Sequence, residues 1–149
     1  VLAGGQGWME GELESFINQL DLSNHVQLPG YVSDEELCWL YKNCFAFLYP
    51  SLYEGFGLPV LEAMGFGAAV ITSNTTSLPE VAGEAAHYVD PLDVSDMAKA
   101  FLMLDARKDY KEGLRQKAVF QARKFSWMKT AQKVLHIYEQ VMRMPKYWG

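Results

Sequence analysis

Glu54 and Glu62 stand eight positions apart in the run Glu54-Gly-Phe-Gly-Leu-Pro-Val-Leu-Glu62, separated by two glycines, an aromatic residue and a proline. No other stretch of the chain is as well suited to chemistry. Pro59 fits the first turn of a helix, where a missing N–H costs nothing, and Gly55 and Gly57 allow the backbone before it to turn tightly. The pattern places Glu54 on a loop and Glu62 about one turn into a helix. A helix start, with free N–H groups and a positive dipole end, is a ready phosphate site, and Gly57 lets a ligand approach the backbone closely. Two carboxylates beside that site could each accept hydrogen bonds from the paired hydroxyls of a sugar. Phosphate plus polyol is the chemistry of a nucleotide or a nucleotide sugar.

These residues need a scaffold. Short apolar runs alternate with amphipathic segments, the pattern of a parallel sheet covered by helices. Strands are expected at Val1 to Ala3, His25 to Leu28, Phe45 to Tyr49, Ala69 to Thr72 and His87 to Val89. Helices are expected between them, over about Glu10 to Leu20, Asp34 to Asn43, Leu58 to Phe66 and Leu78 to Ala82. Ser33 or Asp34 can cap the second helix and Ser77 or Thr76 the fourth. Beyond Asp90-Pro91 only helices are expected, at about Val94 to Leu104, Tyr110 to Lys124 and Trp127 to Met142. Ser126 is a plausible cap for the last, in which Val134, Leu135, Tyr138 and Val141 share one face. The fold class is therefore α/β, a Rossmann-like parallel sheet flanked by helices, with a helical C-terminus.

A chain of 149 residues that is 50% apolar has the size and core of one domain. Its net charge of −5, with no basic run or stripe, argues against a nucleic-acid partner. Lys and Arg gather in the last third (among them Arg107, Lys111 and Arg115), but Asp105, Asp109 and Glu112 are interleaved, as on a solvated helix face. Cys38 and Cys44 have no histidine at metal-ligand spacing and read as reduced core residues. No apolar run approaches the roughly 20 residues of a spanning helix. The expected location is cytoplasmic, or peripheral at the inner face of the membrane.

The run from Ser51 to Met64, followed by Gly67-Ala-Ala-Val-Ile-Thr-Ser73 and Leu78-Pro-Glu-Val-Ala-Gly83, resembles the donor-binding domain of family 4 retaining glycosyltransferases. Gly30-Tyr-Val-Ser-Asp-Glu-Glu-Leu37, Ala85-Ala86 leading to Val89-Asp90-Pro91, and Phe125-Ser-Trp127 before a helix extend the similarity over nearly the whole chain. The resemblance implies the C-terminal half of a two-domain enzyme of the GT-B architecture, which transfers a hexosyl group from a nucleotide sugar to an acceptor hydroxyl. On that alignment Val1-Leu-Ala-Gly-Gly corresponds to the family's second strand and the turn after it. The first strand, its diphosphate-binding Arg and Lys, and the domain that binds a glycan or lipid-linked acceptor would then lie upstream. A sheet without its central strand is expected to self-associate, or to close by pairing the strands at Val1 and Phe45. As a bacterial polysaccharide enzyme, it would be a mannosyl or glucosyl transferase.

The resemblance gives Glu62 the two ribose hydroxyls and brings Glu54 to the transferred sugar or to the charge developing at its anomeric carbon. Phe56, Gly57 and Leu58 would present backbone N–H groups to sugar hydroxyls and the diphosphate. The Phe56 ring either packs under the loop or touches the ligand. Tyr31 and Val32 would flank the nucleobase, with a core role equally open to Tyr31. No metal cofactor is implied, because N–H groups and basic side chains can stabilise the departing diphosphate, and no Asp-x-Asp pair is present.

An alternative is a nucleotide or nucleotide-sugar binding module without turnover. A dinucleotide oxidoreductase is disfavoured, because Gly4, Gly5 and Gly7 are followed by Glu at position 10. His25, His87 and His136 read as structural, Ser51, Thr72 and Ser73 lack the setting of a nucleophile, and Glu80 supports its helix. Trp8, Trp39, Trp127 and Trp148 read as packing residues, Trp8 lying close to the site edge.

Overall fold

The computed structural model describes residues 1–5 and 10–144. Gly7, Trp8 and Trp148 lie outside the described residues. The chain divides into two compact units, Val1–Leu40 and Tyr41–Gly149.

In the first unit, helix α1 (Glu10–Gln19) is followed by a turn and an extended stretch that leads to helix α2 (Asp34–Asn43), whose last residues belong to the second unit. The strands expected at Val1 to Ala3 and His25 to Leu28 do not form. One isolated parallel bridge joins Ala3 to Gly30, with hydrogen bonds from the Leu2 N–H to the Gln27 carbonyl (2.9 Å) and from the Gly4 N–H to the Gly30 carbonyl (2.9 Å). Two causes combine. Pro29 has no N–H to give and Gly30 turns left-handed (φ 71°), so the ladder stops after one step, and a lone pair of strands is marginal in water.

Helix α2 starts on a reciprocal cap. The Glu36 N–H donates to Ser33 Oγ (3.3 Å), while the Ser33 N–H and hydroxyl donate to Glu36 Oε2 at 2.8 and 2.9 Å. The backbone bond and then the hydroxyl bond from Ser33 hold the Glu36 carboxyl below its ordinary range. A depressed folded-state value means that the ionised form stabilises the fold above the unfolded pKa and that this contribution is lost as pH falls through the folded one. Glu36→Gln is therefore expected to melt below the native protein at neutral pH. The gap should close once the pH drops below the carboxylate range, which thermal unfolding followed by circular dichroism would check.

The second unit is built on a three-stranded parallel sheet in the order β1 (Phe47–Tyr49), β2 (Val70–Ser73), β3 (Ala86–Val89). Register pairs Tyr49 with Thr72 and Ser73 with Val89. All four residues of β2 are fully buried, so both sheet faces are covered, as parallel sheets require. Ile71 and Val89 pack against Ala100 and Leu104 of helix α5 (Val94–Ala106) and Leu114 of helix α6 (Lys108–Ala122). β1 stops where Pro50 withdraws its N–H. As an edge strand it is paired only with β2 among the described strands, so the closure of the sheet by pairing at Phe45 is not found.

Helix α3 (Leu58–Gly65) links β1 to β2 and ends on a left-handed Gly67 (φ 77°). There the Gly67 N–H donates to the Met64 carbonyl (3.0 Å) and the Ala68 N–H to the Ala63 carbonyl (3.0 Å), which closes the helix end. Helix α4 (Leu78–Ala82) and a 3-10 turn (Gly83–Ala85) lead into β3. Asp93 caps α5 through its Oδ1, which accepts from the N–H groups of Ser95 (2.8 Å) and Asp96 (3.2 Å). Ser126 stands at the N-cap of helix α7 (Trp127–Arg143), but its side chain makes no capping bond. No residue of α7 is buried: Val134, Leu135, Tyr138 and Val141 are all exposed. Trp39 and Trp127, expected to pack, are 64% and 77% exposed. Among the described residues no helix is long and apolar enough to cross a membrane.

Candidate functional site

The loop between β1 and α3 leaves the carboxyl edge of the sheet, where open parallel sheets bind ligands. Glu54 lies on it, half-buried. Its Oε1 accepts from the Tyr49 hydroxyl at 2.6 Å and from the Ser51 hydroxyl at 2.9 Å. Its Oε2 takes no hydrogen bond from the described residues. The Tyr49 phenol is pushed up to about 12, by burial first and then by its bond to Glu54 and the charge there. It therefore stays protonated and donates throughout the range in which proteins work.

A row of hydroxyls fastens the main chain of the loop to the segment after β2. Thr72 Oγ1 donates to the Tyr49 carbonyl (2.9 Å), Ser73 Oγ to the Ser51 carbonyl (2.6 Å) and Thr75 Oγ1 to the Leu52 carbonyl (3.4 Å). The Glu54 N–H donates to Thr76 Oγ1 (3.2 Å), and Ser77 Oγ lies 2.9 Å from the Glu54 carbonyl and 3.0 Å from that of Phe56. Thr76 adopts a left-handed φ of 53°, which costs a β-branched residue about 1–3 kcal/mol and persists only where the surroundings fix it. The Ser77 hydroxyl, expected to cap α4, makes no capping bond and serves the loop instead. Ser51, Thr72 and Ser73 are thus structural determinants of the site. Each bond spans more than 20 residues of sequence, so local patterning gives no sign of it. The visible signal is composition: five of the six residues from Thr72 to Ser77 carry hydroxyls.

Gly57 is the N-cap of α3, with φ 98° and ψ 47°. A Cβ at this position would stand 2.6 Å from Leu78 Cδ2, so the glycine is required by packing as well as by backbone angle. Gly55 has neither constraint: its φ is not positive, and no atom lies within 4 Å of where a Cβ would be. The tight turn rests on Gly57 alone. No acceptor among the described residues takes the N–H groups of Phe56, Gly57 or Leu58. The Phe56 ring meets Phe125 edge-on at 5.7 Å and is 41% exposed. Glu62 is exposed one turn into α3.

In the first unit, Tyr31 is 80% exposed, which excludes a core role. Val32 lines an open hollow of about 240 Å³ together with Val1, Gln27, Pro29, Glu36, Trp39 and Leu40. Of the histidines, His87 Nδ1 lies 3.0 Å from the Tyr110 hydroxyl and His136 Nε2 lies 3.0 Å from Gln140 Nε2. Cys38 and Cys44 are free and half-buried rather than in the core, and burial pushes the Cys44 thiol up. Among the described residues no three His, Cys, Asp or Glu side chains form a metal-sized group.

Comparison with known proteins gives this geometry a family. Residues 1–124 match the model of the glycosyl transferases group 1. The O-antigen chain mannosyltransferase B of Escherichia coli is 37% identical over 139 residues, covering 93% of this chain and 36% of that protein. The MMP alpha-(1->4)-mannosyltransferase of Mycolicibacterium hassiacum is 34% identical, over 89% of this chain and 33% of that protein. The chain thus spans about a third of the length of these relatives. Among solved structures, sucrose-phosphate synthase from Thermosynechococcus elongatus superposes with a TM-score of 0.85 at 25% identity, over 95% of this chain and 38% of that one. HepE of Anabaena, solved with UDP, gives 0.82 at 20% identity, over 93% and 40%, a likeness of fold. The chain belongs to the glycosyl transferases group 1 family.

Proposed function

We propose that this chain is the donor-binding part of a family 4 retaining glycosyltransferase, which moves a hexosyl group from a nucleotide sugar to an acceptor hydroxyl. The observation that carries the reading is the start of α3. Three N–H groups with no acceptor among the described residues stand there between Glu54, a carboxylate whose Oε2 takes no hydrogen bond from those residues, and an exposed carboxylate, Glu62. The N–H groups of Phe56, Gly57 and Leu58, at a positive helix end, take the diphosphate and stabilise its charge as it leaves, with no metal required. Glu62 accepts from the ribose hydroxyls and Glu54 works at the transferred sugar. Tyr31 and Val32 flank the base in this reading. Retention follows if the acceptor attacks the face from which the diphosphate departs. The names of the E. coli and Mycolicibacterium relatives favour mannose as the sugar, and the first of them favours a bacterial polysaccharide as the acceptor.

Calorimetric titration of the full-length natural protein with GDP, UDP and ADP tests this. One nucleotide should bind, and Glu62→Ala should weaken it about 10- to 100-fold through lost charged hydrogen bonds. Binding of none, or equal binding by the variant, would remove Glu62 from the site.

A further inference from the structure

The open oxygen of Glu54 owes its position to two other side chains. We propose that Tyr49, assisted by Ser51, is a positioning residue for the transfer reaction: its hydroxyl occupies Oε1 of Glu54 and so leaves Oε2 as the oxygen presented to the sugar. This rests on the reading of Glu54 given above.

A glutamate on a loop is free to spread over many rotamers, and ordering it costs entropy. Here two donors at 2.6 and 2.9 Å fill the lone-pair sites of Oε1. Whatever Glu54 does for a ligand must therefore be done by Oε2. The two donors are not equal. Ser51 Oγ has a second acceptor, the Tyr53 carbonyl at 3.2 Å, and a single hydroxyl proton cannot serve both fully. The Tyr49 hydroxyl has Glu54 as its sole acceptor among the described residues. Tyr49 is also the better anchored. It closes β1, its carbonyl is held by Thr72 (2.9 Å), and its ring stacks on Phe47 at 5.9 Å with the planes 19° apart. The carboxylate is thus referenced to the rigid sheet rather than to the loop that carries it, which is how a reactive group is held within a few tenths of an ångström.

The test is a double-mutant cycle in the full-length natural protein. The readout is release of nucleoside diphosphate from whichever of GDP-mannose, UDP-glucose and UDP-N-acetylglucosamine the native protein consumes fastest. Tyr49→Phe keeps the ring and removes the donor. It should lower kcat about 10- to 100-fold, the value of a charged hydrogen bond, with the donor KM changed less than about two-fold, and Ser51→Ala should lower kcat less. In a Glu54→Gln background the Tyr49→Phe effect should shrink to under about two-fold, because an NH2 group stands in place of Oε2, the oxygen that Tyr49 presents to the sugar. An equal effect in both backgrounds would make Tyr49 a packing residue and overturn the proposal, as would a Tyr49→Phe variant with native kcat. Native turnover in Glu54→Gln, or no release from any of the three sugars by the native protein, would overturn the underlying reading of Glu54 and the proposal with it.

Discussion

Glu54→Gln is expected to lower kcat by about 100- to 1,000-fold, the usual cost of removing one preorganised electrostatic contact from a transition state. The substitution is a sharp one because of how the side chain is held. A glutamine oxygen can replace Oε1 and go on accepting from Tyr49 and Ser51, while an NH2 group takes the place of Oε2. Shape is kept and the polarity facing the ligand is inverted. The main-chain bonds of residue 54, from its N–H to Thr76 and from Ser77 to its carbonyl, do not involve the side chain, so the thermal midpoint should stay within a degree or two of native. Donor KM should change little, since the proposed function gives phosphate and ribose to other groups. Steady-state kinetics together with a melting curve would decide the matter. A variant with turnover within a few-fold of native, or one that loses activity only because it unfolds, would dismiss the assignment of Glu54.

The elements that position the site were largely legible in the sequence, because they obey local rules. Pro59 behind Gly57 marked the start of α3, and the strands expected at Phe45 to Tyr49, Ala69 to Thr72 and His87 to Val89 formed within about two residues of those bounds. Helix bounds came within about two residues, the accuracy expected where capping and fraying decide the ends. The first unit was less legible. The run His25 to Leu28 has strand composition, but a strand exists only through its partners, and Pro29 and the left-handed Gly30 limit that pairing to a single bridge. For the candidate site, the placement of Glu54 on a loop and of Glu62 one turn into α3 was legible, because the types and spacing that set it are local. Tyr49 was hidden by its double character, reading as one more strand residue while its hydroxyl reaches the loop. The hydroxyl row from Thr72 to Ser77 was hidden by distance along the chain. Trp39 and Trp127 were misplaced by composition, since an aromatic residue is buried only where an element exists to cover it.

Gly57→Ala is expected to destabilise the fold by about 2–5 kcal/mol, the sum of roughly 1–2 for a left-handed backbone at a residue with a Cβ and roughly 1–3 for overpacking. Set against the 5–15 kcal/mol typical of a whole domain, this is a large loss. The clash is with the Leu78 side chain, which is fully buried at the start of α4 and has little space to move aside. Gly55→Ala, two positions earlier, is the matched control. Its φ is not positive and its Cβ would meet nothing within 4 Å, so its cost should stay within about 0.5 kcal/mol. Urea unfolding of the three proteins separates two demands on the same glycine. A large loss of stability confined to Gly57→Ala means that the residue is held by the fold, and the N–H groups of the α3 start are aimed by the packing of Gly57 on Leu78. Native stability with nucleotide binding abolished would mean instead that the space above Gly57 belongs to the ligand, and that Leu78 yields when a methyl group arrives.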